Sequence, residues 1–512
     1  MEFKMLILFR YFNLLNVNHM NKEVLNAVGQ LIDTHIKTSK SLNSPVLNQH
    51  APEIIAKELK LKEYFSSGFK QTSDLLHFVS VYLDHTNHLS NPNYMGHQVA
   101  VPQDLSGIPE LIHGSINNPS SLYEMGPAGA TCEGFMINWM LDKIGWLNGR
   151  DYYDFEFTTG LGSGFLTHGG SLANLSALAA ARSVIAPNAW VEGNPNDLVI
   201  LGSASAHYCI IRALSLLGLG KRAFYPVAVD KNEVILIEDL EKVYKQALNS
   251  GKRVMCVVAN ACATSSGLFD PLDAMGDFCQ THGLWFHVDG AHGASALLGT
   301  KSKKYVKGIE KADSVIWDAH KMMRVPSLCT AVLFKDFIHQ ANAFQQKGSY
   351  VFHDNDVVGM DSMPYTIECT KSALGTKLFW SFALKGERTI GDYVDSRFTL
   401  AKEFYDCLKQ DEDFEVPYIP ESNILCFRYL KHTDDDDFQK RLRYSLINQK
   451  EYYITSCVFN TKRYLRVVLI NPDTTLTHLR SLKKAIKLEA IKLLYAPTEI
   501  TNTSPKKKTD II

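Results

Sequence analysis

Between residues 122 and 381, short apolar runs alternate with stretches whose apolar positions recur at helical spacing. The runs at 197–201, 223–229, 254–259, 284–289, 314–317 and 330–334 are rich in Val, Ile, Phe and Trp and read as buried strands. A further strand ends at Thr167, before a glycine pair. Helices are predicted at 171–182, 207–217, 237–249 and 271–282, with Ser171 as an N-cap, Pro271 in a first turn, and Gly251 and Gly283 just past C-termini. This alternation is the mark of an α/β fold with a mainly parallel sheet. Residues 20–120 read as a helical arm that turns loop-rich around Asn91-Pro92 and Asn118-Pro119. After about residue 386 the pattern changes to a helix at 396–409, strands at 424–429, 452–458 and 464–470, and a helix at 477–494, a smaller α+β unit. The expected organisation is therefore an arm (20–120), a large domain (121–386), a small domain (387–496) and a polar tail (497–512). Residues 1–19 are a doubtful extension, since Met20 offers an alternative start.

Charge narrows the partners. The 512 residues carry 53 Lys+Arg against 54 Asp+Glu, a formal net charge of −1 with the histidines neutral. No basic stripe is present to bind nucleic acid or an acidic membrane surface. With 46% hydrophobic residues the chain has material for a large core, yet no stretch is long and apolar enough to span a bilayer. The ten cysteines are scattered without a CxxC, as expected for a cytoplasmic protein with reduced thiols.

Four segments carry candidate chemistry. In Trp317-Asp318-Ala319-His320-Lys321 a strand ends in a polar turn at the carboxyl edge of the sheet, where α/β folds bind ligands. A lysine there, its pKa lowered by the pocket, can attack a carbonyl to form a Schiff base. In His287-Val288-Asp289-Gly290-Ala291-His292-Gly293 an apolar strand ends in an acid that needs a cationic partner, and the small residues at 290, 291 and 293 would let a flat ligand approach. His287, Asp289 and His292 also stand as candidate metal ligands. Thr167-His168-Gly169-Gly170-Ser171 leads from strand to helix and forms an anion site, or simply a capped glycine turn. Ser205-Ala206-His207-Tyr208 opens a helix with an imidazole. Together the four describe a ligand with a phosphate, a basic ring nitrogen, a flat face and an aldehyde, which is pyridoxal 5′-phosphate.

On these motifs, from about residue 91 to 472, the chain resembles the group II pyridoxal-phosphate-dependent amino-acid decarboxylases that act on glutamate, cysteine sulfinate, aspartate and aromatic amino acids. The resemblance implies a fold-type-I enzyme with a seven-stranded sheet, working as a homodimer with shared active sites. It implies that Lys321 binds the cofactor aldehyde, that Asp289 pairs with the ring nitrogen, and that His207 and Ala291 cover the two ring faces. Ser171, Leu172, Ala173 and His320 would hold the phosphate, Thr264 would lie near the ring hydroxyl, and His97, Gln98 and Arg466 would meet the substrate. No resident metal is expected. An arginine at 466 favours an acidic substrate through bidentate carboxylate binding; a diamino or aromatic acid is the alternative.

Three departures from the family pattern stand out. Asp318-Ala319 replaces the usual Asn-Pro, and Asp318 is expected to point away from the phosphate. Residues 353–358 lack the loop tyrosine that returns a proton to Cα, with Tyr350 only nearby, so an oxidative deaminase is a second alternative. Lys371 stands where relatives carry arginine. An aminotransferase and a non-catalytic paralogue complete the alternatives.

Overall fold

The computed structural model describes residues 22–42, 44–156, 158–344, 361–431 and 434–495. The doubtful N-terminal extension, the tail after 496, and the loop at 353–358 with Tyr350 lie outside the described residues.

Seven strands form the main sheet: β1 (Ser163–Thr167), β2 (Leu198–Ser203), β3 (Phe224–Val227), β4 (Arg253–Asn260), β5 (Trp285–Asp289), β6 (Ser314–Asp318) and β7 (Thr330–Phe334). Their spatial order is β1-β7-β6-β5-β4-β2-β3. All neighbours pair in parallel except β7, which runs antiparallel to both β1 and β6. The expected mainly parallel seven-stranded sheet is thus present. Every residue of β5, β6 and β7 is buried, which explains why these strands read as continuous apolar runs rather than alternating ones.

Helices cover both faces. On one side the alanine-rich helix Gly170–Ile185 lies across β4 to β7, and Ala173, Ala177, Ala180 and Ala181 let it approach closely. On the other side Pro127–Ile144 and Leu374–Ala383 pack together against the sheet; neither was predicted, and for the first the reason is that burial on most sides removes its amphipathic period. Trp139 of the first stacks on Trp317 of β6, whose indole N–H donates to Ser295 Oγ at 2.9 Å. Ser171 is not the N-cap. The helix begins at Gly170 and its N-cap is Gly169, whose φ of 110° is a conformation serine rarely adopts.

A second sheet is antiparallel, in the order β10-β11-β9-β8, with β8 (Phe414–Glu415), β9 (Ile424–Tyr429), β10 (Thr455–Phe459) and β11 (Lys462–Val468). Helices Glu387–Lys409, Asp436–Asn448 and Leu476–Tyr495 share a hydrophobic cluster with it. The first starts nine residues earlier than predicted, since Ile390 and Val394 continue its buried stripe. The second was not predicted. Asp435 caps it by accepting from the N–H groups of Asp437 and Phe438, and the acids of its first turn suit the positive end of the helix dipole. Residues 91–98 are stitched to this sheet: Met95 N–H donates to Tyr453 O, and Val468 N–H to Met95 O. Gln98 of that segment lines one cavity with Asp289 and Asp318, the last residues of β5 and β6.

Candidate functional site

Asp289 closes β5. Its Oδ1 accepts from Ala291 N–H at 3.2 Å and its Oδ2 from Asn174 Nδ2 at 3.0 Å. Asn174 is itself held: its Oδ1 accepts from His287 Nε2 at 2.8 Å, while His287 Nδ1 accepts from Ser314 Oγ at 2.8 Å. Burial pushes His287 down to about 4, so the ring is neutral and fixed as one tautomer by these two bonds. The chain of bonds aims the carboxylate without cancelling its charge, and among the described residues Asp289 forms no ion pair.

Lys321 follows β6. Its Nζ lies 3.0 Å from Asp318 Oδ2. Burial pushes its pKa down, but Asp318 and then Asp289 outweigh that and hold the ammonium above its ordinary range. The lowered lysine expected from the sequence is therefore corrected, and Asp318 is the reason. Burial likewise pushes the Asp318 carboxyl up, while Lys321, His320 and the Thr330 hydroxyl pull it below the ordinary carboxylate range. Nor does Asp318 point away from the anion site. It borders Gly170, where an added Cβ would stand 3.1 Å from its Oδ2.

One cavity brings together Lys321, Asp289, His207, Ala291, Thr264, Ser171 and Gln98. Sequence reasoning missed Asn174, Cys209, Asn260 and Cys262 on the same walls. Asn174 did carry a signal, as the one amide in an otherwise Ala-, Leu- and Ser-rich helix. His207 is both cap and wall: its Nδ1 accepts from Cys209 N–H at 3.3 Å, and burial pushes its pKa down.

At the first turn of Gly170–Ile185, Leu172 and Ala173 both give their N–H groups to Gly169 O. Among the described residues the N–H groups of Gly170 and Ser171 meet no acceptor, which makes them the free donors of the turn. His320 lies off the cavity, with Nδ1 donating to Cys329 O at 2.9 Å. His97 is exposed and bonds Tyr453 Oη through Nε2 at 2.7 Å.

Arg466 stands behind the cavity wall. Its Nη2 donates to Thr264 O at 2.7 Å, its Nε to Ser265 O at 3.0 Å, and its Nη1 to Gly96 O and to Thr455 Oγ1. Four of its five donors are spent, leaving one N–H rather than the pair a bidentate hold requires. Lys371 is buried against Glu133 and Leu166 O, away from the cavity.

Glycine is required at 290 and 293 for packing rather than for ligand approach. A Cβ at 290 would stand 2.7 Å from Ile316 O, and one at 293 would stand 2.6 Å from the Cys262 backbone N. The candidate metal ligands do not form a set, since both nitrogens of His287 are engaged and His292 Nε2 bonds Asn423 Oδ1 at 2.7 Å. Among the described residues no cluster of three such side chains could hold a metal ion.

Comparison with known proteins fits this geometry. A family model described as "Pyridoxal-dependent decarboxylase conserved domain" matches residues 74–430. The mouse acidic amino acid decarboxylase GADL1 is 29% identical over 419 residues, 80% of this chain and 72% of that protein. Human cysteine sulfinic acid decarboxylase is 28% identical over 432 residues, 82% of this chain and 84% of its own. The crystal structure of mouse CSAD superposes with a TM-score of 0.83 at 24% identity, covering 91% of this chain and 98% of that one, a likeness of fold.

Proposed function

This chain belongs to the pyridoxal-dependent decarboxylase family, and from that premise we propose that it removes the α-carboxyl group of an acidic L-amino acid, with aspartate, cysteine sulfinate and glutamate as the candidates. The observation that carries the reaction is the convergence of Lys321, Asp289 and His207 on one cavity. The acidic preference is supported by what the relatives are named for, acidic amino acids and cysteine sulfinic acid, and by the buried Arg466 beside Thr264.

Pyridoxal phosphate is the cofactor, and the residues fit it. A buried carboxylate held only by neutral donors is costly without a cation and suits a protonated ring nitrogen. When bound, the cofactor supplies the electron sink for the breaking bond. Lys321 must shed a proton from Nζ before it can act as a nucleophile, and the nearest acceptor is Asp318 Oδ2. Asp289, oriented by Ala291 N–H and Asn174, would hold a proton on the ring nitrogen. His207 and Ala291 are read as the two covers of the ring. Ser171, with Gly170, offers free N–H groups to the phosphate. Arg466 positions the Thr264–Ser265 backbone and lends positive charge to the substrate side, where it and Arg443 add to the effect of burial in lowering the pKa of His97.

A homodimer and a cytoplasmic location are part of this reading. They are supported by apolar side chains left exposed on the single chain, such as Phe65 at 93%, and by ten cysteines without a disulfide. Light scattering during size exclusion checks the dimer; a monomer with full activity would contradict it.

Supplying the holoenzyme with single L-amino acids, and following carbon dioxide, ammonia and peroxide, tests the reaction. The expected result is carbon dioxide with the matching amine from an acidic substrate. A preference for aromatic or diamino acids, or stoichiometric ammonia and peroxide, would contradict it.

A further inference from the structure

The cavity contains two carboxylates, and only Asp289 has a cofactor group to meet. Asp318 is 2% exposed. Its Oδ1 accepts from Thr330 Oγ1 at 2.7 Å, and its Oδ2 lies 3.0 Å from Lys321 Nζ and 3.7 Å from His320 Nε2. On its other side it touches the helix turn that offers free N–H groups. A Cβ built on Gly170 would stand 3.1 Å from Oδ2 and 3.2 Å from Oδ1. The corner that attracts an anion thus already has a fixed one beside it, held in place by Thr330 and Lys321.

We propose that Asp318 is an internal competitor of the cofactor's phosphate, a residue that loosens the hold on the cofactor and makes it exchangeable. The inference rests on the reading that the phosphate goes to the Gly170–Ser171 turn. A phosphate there places like charges within a few ångströms in a partly desolvated corner. At an effective dielectric near 20, repulsion over about 5 Å weakens binding by more than about tenfold, even when Lys321 offsets part of it. An asparagine at this position would keep the shape and the Thr330 contact while removing the charge.

Because Asp318 also pairs with Lys321, its replacement changes the lysine too. The probes must therefore be unable to condense with it. Pyridoxine 5′-phosphate and pyridoxine lack the aldehyde and differ only in the phosphate. Calorimetric titration of the full chain, stripped of cofactor, compares wild type with Asp318→Asn and with Asp318→Ser as a smaller neutral control. The expected result is that both variants bind pyridoxine 5′-phosphate at least about tenfold more tightly, while pyridoxine binding moves by less than about twofold. Unchanged or weaker binding of the phosphate compound, or an equal gain for both compounds, overturns the proposal. If wild type and variants bind neither compound, the cofactor reading falls with it. If wild type binds the phosphate compound and the variants match it, only the role of Asp318 falls.

Discussion

β5 and β6 lie side by side, and each ends in a buried aspartate, Asp289 at 7% exposure and Asp318 at 2%. The two acids live differently. Asp289 is held by an amide and a backbone N–H, so its charge is oriented and left uncancelled. Asp318 is held by a hydroxyl and already paired with Lys321. A buried charge without a counterion is expensive, whereas a buried pair is tolerable until one member is removed. The difference assigns the tasks: the first acid waits for a cation that arrives with the cofactor, and the second keeps the reactive lysine protonated until it is needed.

Breaking the paired side should have the largest effect. Lys321→Ala removes the nucleophile and is expected to lower carbon dioxide release by on the order of 10⁴-fold or more. It also strands Asp318, so urea unfolding should show a loss of about 3–5 kcal/mol. Restoring the balance in Lys321→Ala/Asp318→Asn should return most of that stability and none of the activity.

The waiting side comes next. Asp289→Asn keeps the shape but removes the charge meant for the ring nitrogen, and kcat should fall roughly 10²–10³-fold, the range seen when one electrostatic partner of a transition state is lost. Stability should rise or stay level, because an uncompensated buried charge has gone. A stability loss like that of Lys321→Ala would erase the contrast between the two acids.

Asn174→Ala should sharpen the comparison more gently. It leaves Asp289 Oδ2 and His287 Nε2 without partners, at about 1–3 kcal/mol for each unsatisfied group. Thermal unfolding should drop and cofactor affinity should weaken, while Asp318 and Lys321 are untouched.

Acid should act through two buried histidines, His287 in this network and His292 beside it on Asn423. Burial holds His287 at about 4 and His292 at about 3, against 6.5 in the unfolded chain. Below about pH 6.5 the unfolded chain takes up protons that the fold refuses, so stability falls as the pH drops from about 6.5 toward 3, with the His287 share complete near 4, and is flat in these groups above that window. The loss is up to roughly 3 kcal/mol for His287 alone. Denaturant midpoints in His287→Gln should show a shallower fall.

How much of this could be read from the chain follows from distance along it. Lys321, Asp289 and the Gly169-Gly170 turn sit within local strand-to-turn patterns that announce themselves in a few residues. The bond that aims Asp289 spans 115 residues, from Asn174 to Asp289, and no local pattern encodes it. The same holds for Arg466, expected to meet the substrate carboxylate but committed to the carbonyls of Thr264 and Ser265 some 200 residues away. The orientation of Asp318 was misread because electrostatics with the phosphate alone was weighed, and the lysine three residues later was not. The helix Pro127–Ile144 escaped because a helix buried on most sides loses the period by which helices are recognised.

The central claim is that Lys321 is the residue that bonds the cofactor. Borohydride reduction of the holoenzyme, followed by peptide mapping by mass spectrometry, tests it most directly. The account predicts a single phosphopyridoxyl mass addition, on Lys321, with loss of the visible absorbance and of carbon dioxide release from acidic amino acids. A protein that gains no such mass, or that gains it on another lysine while Lys321 stays unmodified, would contradict it.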